Sequence, residues 1–239
     1  MSVGQESTSS RDILVFFSLE IGIWYNGYEG VIVVKILVLG ATGRVGSHIV
    51  SLALRDGHHV TALVRSPSKI ETIDKNLHIS HGNVLNQEDL ELVMSEVDIV
   101  ISALNTDGTN TLTESMLLIL ETMKKANVKR IITVGTAGIL QSRLTSHLLR
   151  YQSSESKRKS TYAAEEHHKV FEMLRHSDVD WTIVCPTYLP DGEYTGIYRI
   201  ERNYLPEGGT KISVADTAEF TYQQIRNTEY LKSRVGIAY

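Results

Sequence analysis

Two rhythms of apolar residues take turns along this chain. Residues 31–40, VIVVKILVLG, are a nearly continuous aliphatic run ending at Gly40, the pattern of a parallel strand buried on both faces. Over 44–55 the apolar positions Val45, Ile49, Leu52 and Ala53 recur at helical spacing, and Gly57 closes the segment. The same alternation predicts strands at 59–65 and 77–82 and a helix over 87–96 with Asn86 as its cap. A strand at 97–104 follows, then a helix over 109–127 carrying Leu112, Met116, Leu117, Leu120 and Met123 on one face, then a strand at 128–135. Further on, the pattern predicts a helix over 165–176, a strand over 180–186 stopped by Pro186, a weak strand at 210–215 (TKISVA) and a helix over 216–226. Strands alternating with helices imply right-handed crossovers and a doubly wound parallel sheet, an α/β fold in a single domain.

The first 33 residues break this rhythm. A polar stretch leads into a 13-residue apolar run, ILVFFSLEIGIWY, interrupted by Glu20 and well short of the roughly 20 residues that span a bilayer. Arg11 is the one basic residue there, whereas a secretion signal needs a positive start and a small-residue cleavage site. Residues 1–33 are therefore read as an N-terminal extension, flexible or not native to the domain, ahead of a complete domain over 34–239.

Composition narrows the function classes. With 239 residues, 42% hydrophobic and 22% charged, the chain can bury a substantial core, so disorder and fibrous architectures are disfavoured. Lys+Arg 24 against Asp+Glu 28 gives 24 − 28 = −4, and no basic block offers a nucleic acid an electrostatic footprint. Nucleic-acid and membrane partners are not expected; a monomer or weak homo-oligomer is. A single cysteine, Cys185, allows no intrachain disulfide and no cysteine-based metal cage, which suits a cytoplasmic protein. Cys185 ends an apolar run and reads as a buried, inert thiol. The histidine pairs His58-His59 and His167-His168 hold neighbours that do not converge on one ion, and no metal site is expected.

The chemistry-bearing motif is GATGRVG, Gly40–Gly46, at the junction of the first strand and first helix. Gly40 permits a tight turn, Gly43 lets backbone amides approach a pyrophosphate, Gly46 lets helix and strand pack closely, and the helix N-terminus favours negative charge. Thr42 adds a hydroxyl. In this context the motif points to a dinucleotide-binding Rossmann fold. An NAD binder places a carboxylate at the end of the second strand; here stands Arg65, with Lys69 nearby, and a guanidinium grips the 2′-phosphate of NADP where a carboxylate would repel it. NADPH is the expected cofactor, with Arg44 adding charge. The ends of the later strands bring Asn83 and Val84, Leu104 and Asn105, Gly135 and Thr136, and Pro186, Thr187 and Tyr188 to the expected crevice.

With these motifs the chain resembles the atypical short-chain dehydrogenase/reductase families with an NAD(P)H-binding domain, and most closely the biliverdin-IXβ reductase/flavin reductase (NADPH) family. GATGRVG, HVTALVR, HGNVLNQEDL, LRHSDVDWTIVCP and PTYLPDGEYTGIY all have counterparts in order, from about Val34 to about Tyr230. The resemblance implies that Gly40, Thr42, Gly43, Arg44 and Val45 contact the pyrophosphate and Arg65 the 2′-phosphate. Asn83, Val84, Leu104 and Asn105 would then contact adenosine and ribose, and Pro186 and Thr187 the nicotinamide side. Thr136 takes the place of a serine beside the nicotinamide, Tyr188 that of a histidine, and Asn83 that of an aspartate.

The Tyr-x-x-x-Lys dyad of typical short-chain dehydrogenases is missing: Tyr162 is followed four residues later by Glu166, and Tyr151 by Glu155. Alcohol oxidation and nucleotide-sugar epimerisation are thereby disfavoured. The expected reaction is hydride transfer from NADPH to a planar acceptor, a flavin acting as substrate or a biliverdin-like tetrapyrrole, with Thr136 and Tyr188 as candidate catalytic residues. The alternative is a non-catalytic NADP-binding redox sensor, resembling the nitrogen-metabolite-repression regulators.

Overall fold

The computed structural model describes residues 32–156 and 158–239. The apolar run at 13–25 and nearly all of the expected extension over 1–33 lie outside the described residues. Residues from Val33 to Tyr239 form one compact unit.

An eight-stranded sheet organises this unit. In chain order the strands are β1 (Lys35–Leu39), β2 (His59–Val64), β3 (Leu77–His81), β4 (Ile99–Ser102), β5 (Arg130–Val134), β6 (Asp180–Pro186), β7 (Arg199–Arg202) and β8 (Ser233–Ala238). Their spatial order is β3-β2-β1-β4-β5-β6-β8-β7. Every neighbouring pair is parallel except β7 with β8. This is the doubly wound Rossmann arrangement, and the order reverses direction between β1 and β4, where such sheets open a crevice.

Helices cover both faces. On one side α1 (Arg44–Arg55) packs beside α5 (Val214–Gln223); on the other, α2 (Gln87–Met94), α3 (Thr111–Lys125) and α4 (Tyr162–Arg175) lie in sequence. Each central strand feeds both layers, because successive side chains point to opposite faces. Leu37 and Leu39 join the α2–α4 side with Val100, Ile131 and Ile183, while Ile36 and Val38 join the α1–α5 side with Ile101, Ile132 and Val184. That double burial is why β1 reads as an unbroken aliphatic run.

Local signals fix the helix ends. Asn86 caps α2 by accepting the Asp89 amide at 2.9 Å. Gly57, at φ +78°, follows α1 and lets the His58 amide turn back to the Ala53 carbonyl at 2.9 Å. Two expectations need correction at the other boundaries. α4 begins at Tyr162, not at 165, and α5 runs from Val214 to Gln223, not over 216–226.

A third correction concerns TKISVA, which is not a strand. Lys211 makes an isolated parallel bridge to Tyr188. The Ser213 hydroxyl then accepts the Asp216 amide at 3.0 Å and starts α5 at once, so capping overrides the short β pattern. The sheet positions beyond β6 go to β8 and β7, neither of which the alternation reveals. β7, RIER, is a mostly exposed, charged edge strand. β8, SRVGIA, is wholly buried yet carries Arg234, whose guanidinium lies 4.3 Å from the centre of the Phe171 ring and donates to the Ile139 carbonyl.

Candidate functional site

Because β1 to β6 are mutually parallel, their carboxyl ends open on one edge of the sheet, and the residues singled out at strand ends lie along it. Gly40 leaves β1 at φ +83°, and a Cβ there would stand 2.5 Å from the Ala103 carbonyl oxygen and 3.0 Å from the Leu104 amide. Only glycine allows the exits of β1 and β4 to approach so closely. Gly40 and the Leu104-Asn105 pair are thus brought together at the switch point.

The turn closes with the Gly43 amide on the Gly40 carbonyl at 2.9 Å, and α1 starts directly behind it. Gly46 sits against this turn: a Cβ there would overlap the Gly40 carbonyl and stand 3.1 Å from Ala41 Cα. The N-cap of α1 is Gly43, with no side-chain cap and no acidic residue in the first turn. The first amides of a helix have no intrahelical acceptor, so those of Arg44, Val45 and Gly46 are available to an external anion. Thr42 and Gly43 are exposed on this turn, whereas the Val45 side chain is buried in the core and offers its backbone only.

Arg44 behaves differently from its neighbours. Its Nη1 donates to the Leu189 carbonyl at 3.1 Å and to Asp191 Oδ1 at 2.9 Å. The glycine turn is thereby tied to the segment that follows β6, a connection between residues far apart in sequence that no local pattern encodes. Arg65 follows β2 directly, exposed and without a hydrogen bond or ion pair to any other described residue. A cavity of about 210 Å³ is lined by Thr42, Ser47 and Ser51 on the side of the glycine turn and α1, and by Lys69, Ile70, Glu71 and Thr72 on the other.

Asn83 and Val84 leave β3, two strands from β1. The Asn83 amide donates to Asp89 Oδ2 at 2.8 Å, and its side-chain oxygen accepts the Leu85 amide at 3.1 Å. Val84 is buried in the α2–α4 core, so its side chain is not free to contact a ligand. Asn105 is exposed and accepts the amide of Thr106 at 2.9 Å.

On the other half of the sheet, Thr136 leaves β5 half-buried, its hydroxyl accepting the Gly138 amide at 3.4 Å. The Gly135 amide donates to the Val184 carbonyl at 2.7 Å, which holds the exits of β5 and β6 side by side. Pro186 is buried, Thr187 is half-buried, and Tyr188 is 62% exposed, with its carbonyl accepting the Ile212 amide at 3.0 Å. Cys185, at the end of β6, is fully buried, and burial pushes its thiol up to about 12.

The positions where a dyad lysine would stand hold structural carboxylates. Glu166 is buried between α3 and α4, accepting from Thr113 Oγ1 at 2.7 Å and from Lys169 Nζ at 2.8 Å. Burial alone would raise its pKa, but those two donors outweigh it and hold the carboxyl below its ordinary value. Glu155 accepts the Arg143 amide at 2.9 Å and pairs with Arg150 at 3.3 Å.

Two residues on this side escaped the sequence analysis, Asp191 and Asp216. Asp216 had a legible signal, since Ser213-Val-Ala-Asp216 has the Ser-x-x-acid spacing of a helix start. Its partners, Thr195 and Gly196, could not be read from spacing.

Comparison with known proteins agrees with this geometry. Residues 40–228 match the family described as NAD(P)H-binding. The uncharacterised YwnB protein of Bacillus subtilis is 26% identical over 216 residues, covering 85% of this chain and 97% of that one. An isoflavone reductase homologue of Nicotiana tabacum is 32% identical over 107 residues, and there the chain spans only 34% of the relative's length. Two solved structures cover nearly the whole unit. One, from Bacteroides thetaiotaomicron and provisionally named an epimerase, has a TM-score of 0.76 at 29% identity, with 87% of this chain and 97% of that one covered. The other, from Streptococcus pneumoniae and provisionally named an NADH-flavin reductase, has a TM-score of 0.72 at 25% identity, with 86% and 99% covered.

Proposed function

Because this chain belongs to the NAD(P)H-binding family, we propose that it is an NADPH-dependent reductase that passes hydride to a flavin or a similar planar acceptor such as a tetrapyrrole. The observation that carries the reading is the uncapped, acid-free N-terminus of α1 behind the Gly40–Gly46 turn, with Arg65 exposed and unpaired among the described residues at the end of the neighbouring strand. The turn fits a pyrophosphate because a Cβ at Gly40 or Gly46 would collide with backbone, and the free amides supply donors and positive potential. Arg65 fits the 2′-phosphate as a charged, forked donor with nothing competing for it.

NADPH, when bound, supplies the hydride from its nicotinamide ring. The chain's part is to bind, orient and exclude. The amides behind Gly43 and the Thr42 hydroxyl hold the pyrophosphate, while Asn83, Val84, Leu104 and Asn105 line the adenosine and ribose side. Pro186 and Thr187, at the exit of β6, flank the nicotinamide. Thr136 and Tyr188 offer hydroxyls that orient the carboxamide or the acceptor, and the proton that completes reduction comes from solvent. Glu166, engaged by Thr113 and Lys169, is not placed as a dyad base, which argues against alcohol oxidation. The provisionally named flavin reductase among the similar structures supports the choice of acceptor class.

The test is steady-state oxidation of NADPH by the purified protein with FMN, and separately with biliverdin, against NADH. Turnover with either acceptor, faster with NADPH, is the expected result. Tight NADPH binding without turnover of either would overturn it in favour of a redox sensor.

A further inference from the structure

The twelve residues after β6, Thr187 to Tyr198, form no regular secondary structure, and on them Tyr188, Tyr194 and Ile197 are 62%, 57% and 82% exposed. Their first half is held by the Ile212 amide, which donates to the Tyr188 carbonyl at 3.0 Å, by the Val214 amide on the Pro190 carbonyl at 3.1 Å, and by the Arg44 guanidinium on Leu189 and Asp191. The second half is held otherwise. Among the described residues, the hydrogen bonds that reach residues 192–197 from outside that stretch all end on the carboxylate of Asp216.

That carboxylate is fully buried, in the first turn of α5. Its Oδ1 accepts the amides of Thr195 and Gly196, both at 2.9 Å; its Oδ2 accepts the hydroxyls of Thr195 at 2.8 Å, Ser213 at 3.1 Å and Tyr239. No cation is among these partners. A buried ionised carboxyl is tolerated only when its oxygens are satisfied, so Asp216 and the segment above it depend on each other. Burial would raise its pKa, yet the donors from Tyr239, Gly196 and Thr195 prevail and keep it below the ordinary carboxylate range. The turn it clamps is tight: Gly196 has φ +66°, and a Cβ there would lie 2.9 Å from Tyr194 Oη.

We propose that Asp216 is a positioning residue for the acceptor, fixing through Thr195 and Gly196 the shape in which residues 192–197 present Tyr194 and Ile197 to a planar aromatic molecule. This rests on the reductase reading for the identity of the ligand class, and on geometry alone for the anchor. A pre-shaped aromatic surface binds a planar ring without the ordering cost that a loose loop would add.

The test compares the full-length protein with Asp216→Ala, Asp216→Asn and Thr195→Val. Thr195→Val removes one donor from the segment and leaves α5 untouched, so it keeps the test alive if Asp216→Ala does not fold. Two quantities are read: hydrogen exchange of amides 192–197, and FMN affinity by quenching of flavin fluorescence in protein saturated with NADP. Exchange should quicken and FMN affinity fall about tenfold or more in Thr195→Val and further in Asp216→Ala. NADPH affinity should hold, and Asp216→Asn should recover part of the loss because its side-chain oxygen still accepts both amides. Unchanged exchange overturns the anchor; faster exchange with unchanged FMN affinity overturns the positioning role. If the wild-type protein turns nothing over but FMN affinity still follows the variants, the reductase reading fails and this inference stands.

Discussion

Gly46→Ala is the sharpest test of the cofactor cradle, because one added methyl group strikes only backbone. The new Cβ would overlap the Gly40 carbonyl oxygen, lie 2.8 Å from the Gly40 carbonyl carbon and 3.1 Å from Ala41 Cα. None of these atoms belongs to a side chain that could swing away. Relief requires α1 to move off the turn, and α1 is pinned on its inner face by Val45, Ile49 and Ala53 in the α1–α5 core. Overpacking a close-packed interior costs about 1–3 kcal/mol, and contact with rigid backbone puts this case near the upper end. For a domain of this size, where each kcal/mol shifts Tm by roughly 2–4 °C, that predicts a fall in Tm of about 6–12 °C. The same displacement carries the amides of residues 44–46 away from the Gly40 carbonyl that shapes the turn, so NADPH affinity should drop at least tenfold even where the variant is fully folded. Thermal melts with and without NADPH, together with titration of NADPH fluorescence, read both effects. A variant that melts within about 2 °C of the wild-type protein, a shift worth less than roughly 1 kcal/mol, and binds NADPH equally well would refute the close-packing account of this turn.

Other expectations follow from the same structure. Arg65→Asp should weaken NADPH binding by about 10–100-fold, the worth of a charge-assisted hydrogen-bond pair, while NADH binding changes little; equal loss for both would refute the 2′-phosphate role. His167 is buried, and burial pushes its pKa down from the ordinary 6.5 to about 4. The folded state therefore binds fewer protons than the unfolded one in that window, so the stability tied to neutral His167 is complete above pH 6.5 and is lost as pH falls toward 4. The loss amounts to about 3 kcal/mol, and His167→Gln should flatten this part of a pH–stability profile measured by urea unfolding. Cys185, fully buried with its thiol pushed up to about 12, should ignore a disulfide reagent at pH 8 in the native protein and react in full on unfolding. Tyr222→Phe removes the hydroxyl that donates to Asp56 at 2.7 Å and should cost about 1–2 kcal/mol in denaturant unfolding.

The sheet's first six strands and five helices could be read from the chain because each satisfies a local rule. A strand buried on both faces must be apolar throughout, as 36–39 and 99–101 are, and a helix packed on one side must repeat its apolar positions every three or four residues, as α1 and α3 do. Caps and breakers sharpened several boundaries: Asn86 and Gly57 act where they stand, through bonds to residues a few positions away, and Pro186 is the last residue of β6. The Gly40–Gly46 turn was equally legible, since its three glycines answer to backbone approaches that the strand-to-helix junction imposes.

What lay beyond the sequence depends on residues distant in the chain. β8 is a strand because β6 leaves an edge that Ser233–Ala238 can pair with, even though Arg234 and Gly236 interrupt its apolar pattern. TKISVA pairs only at Lys211, because Ser213 caps α5, which begins at Val214. Arg44 meets Leu189 and Asp191, and Asp216 meets Thr195, Gly196 and Tyr239. Spacing of two, three or four residues encodes what a segment does with its own backbone, so the sequence determined the first six strands, the five helices and the glycine turn. The partners of a buried carboxylate or a surface guanidinium are chosen by whichever groups the folded sheet carries to within hydrogen-bond reach, and only the tertiary structure decided those.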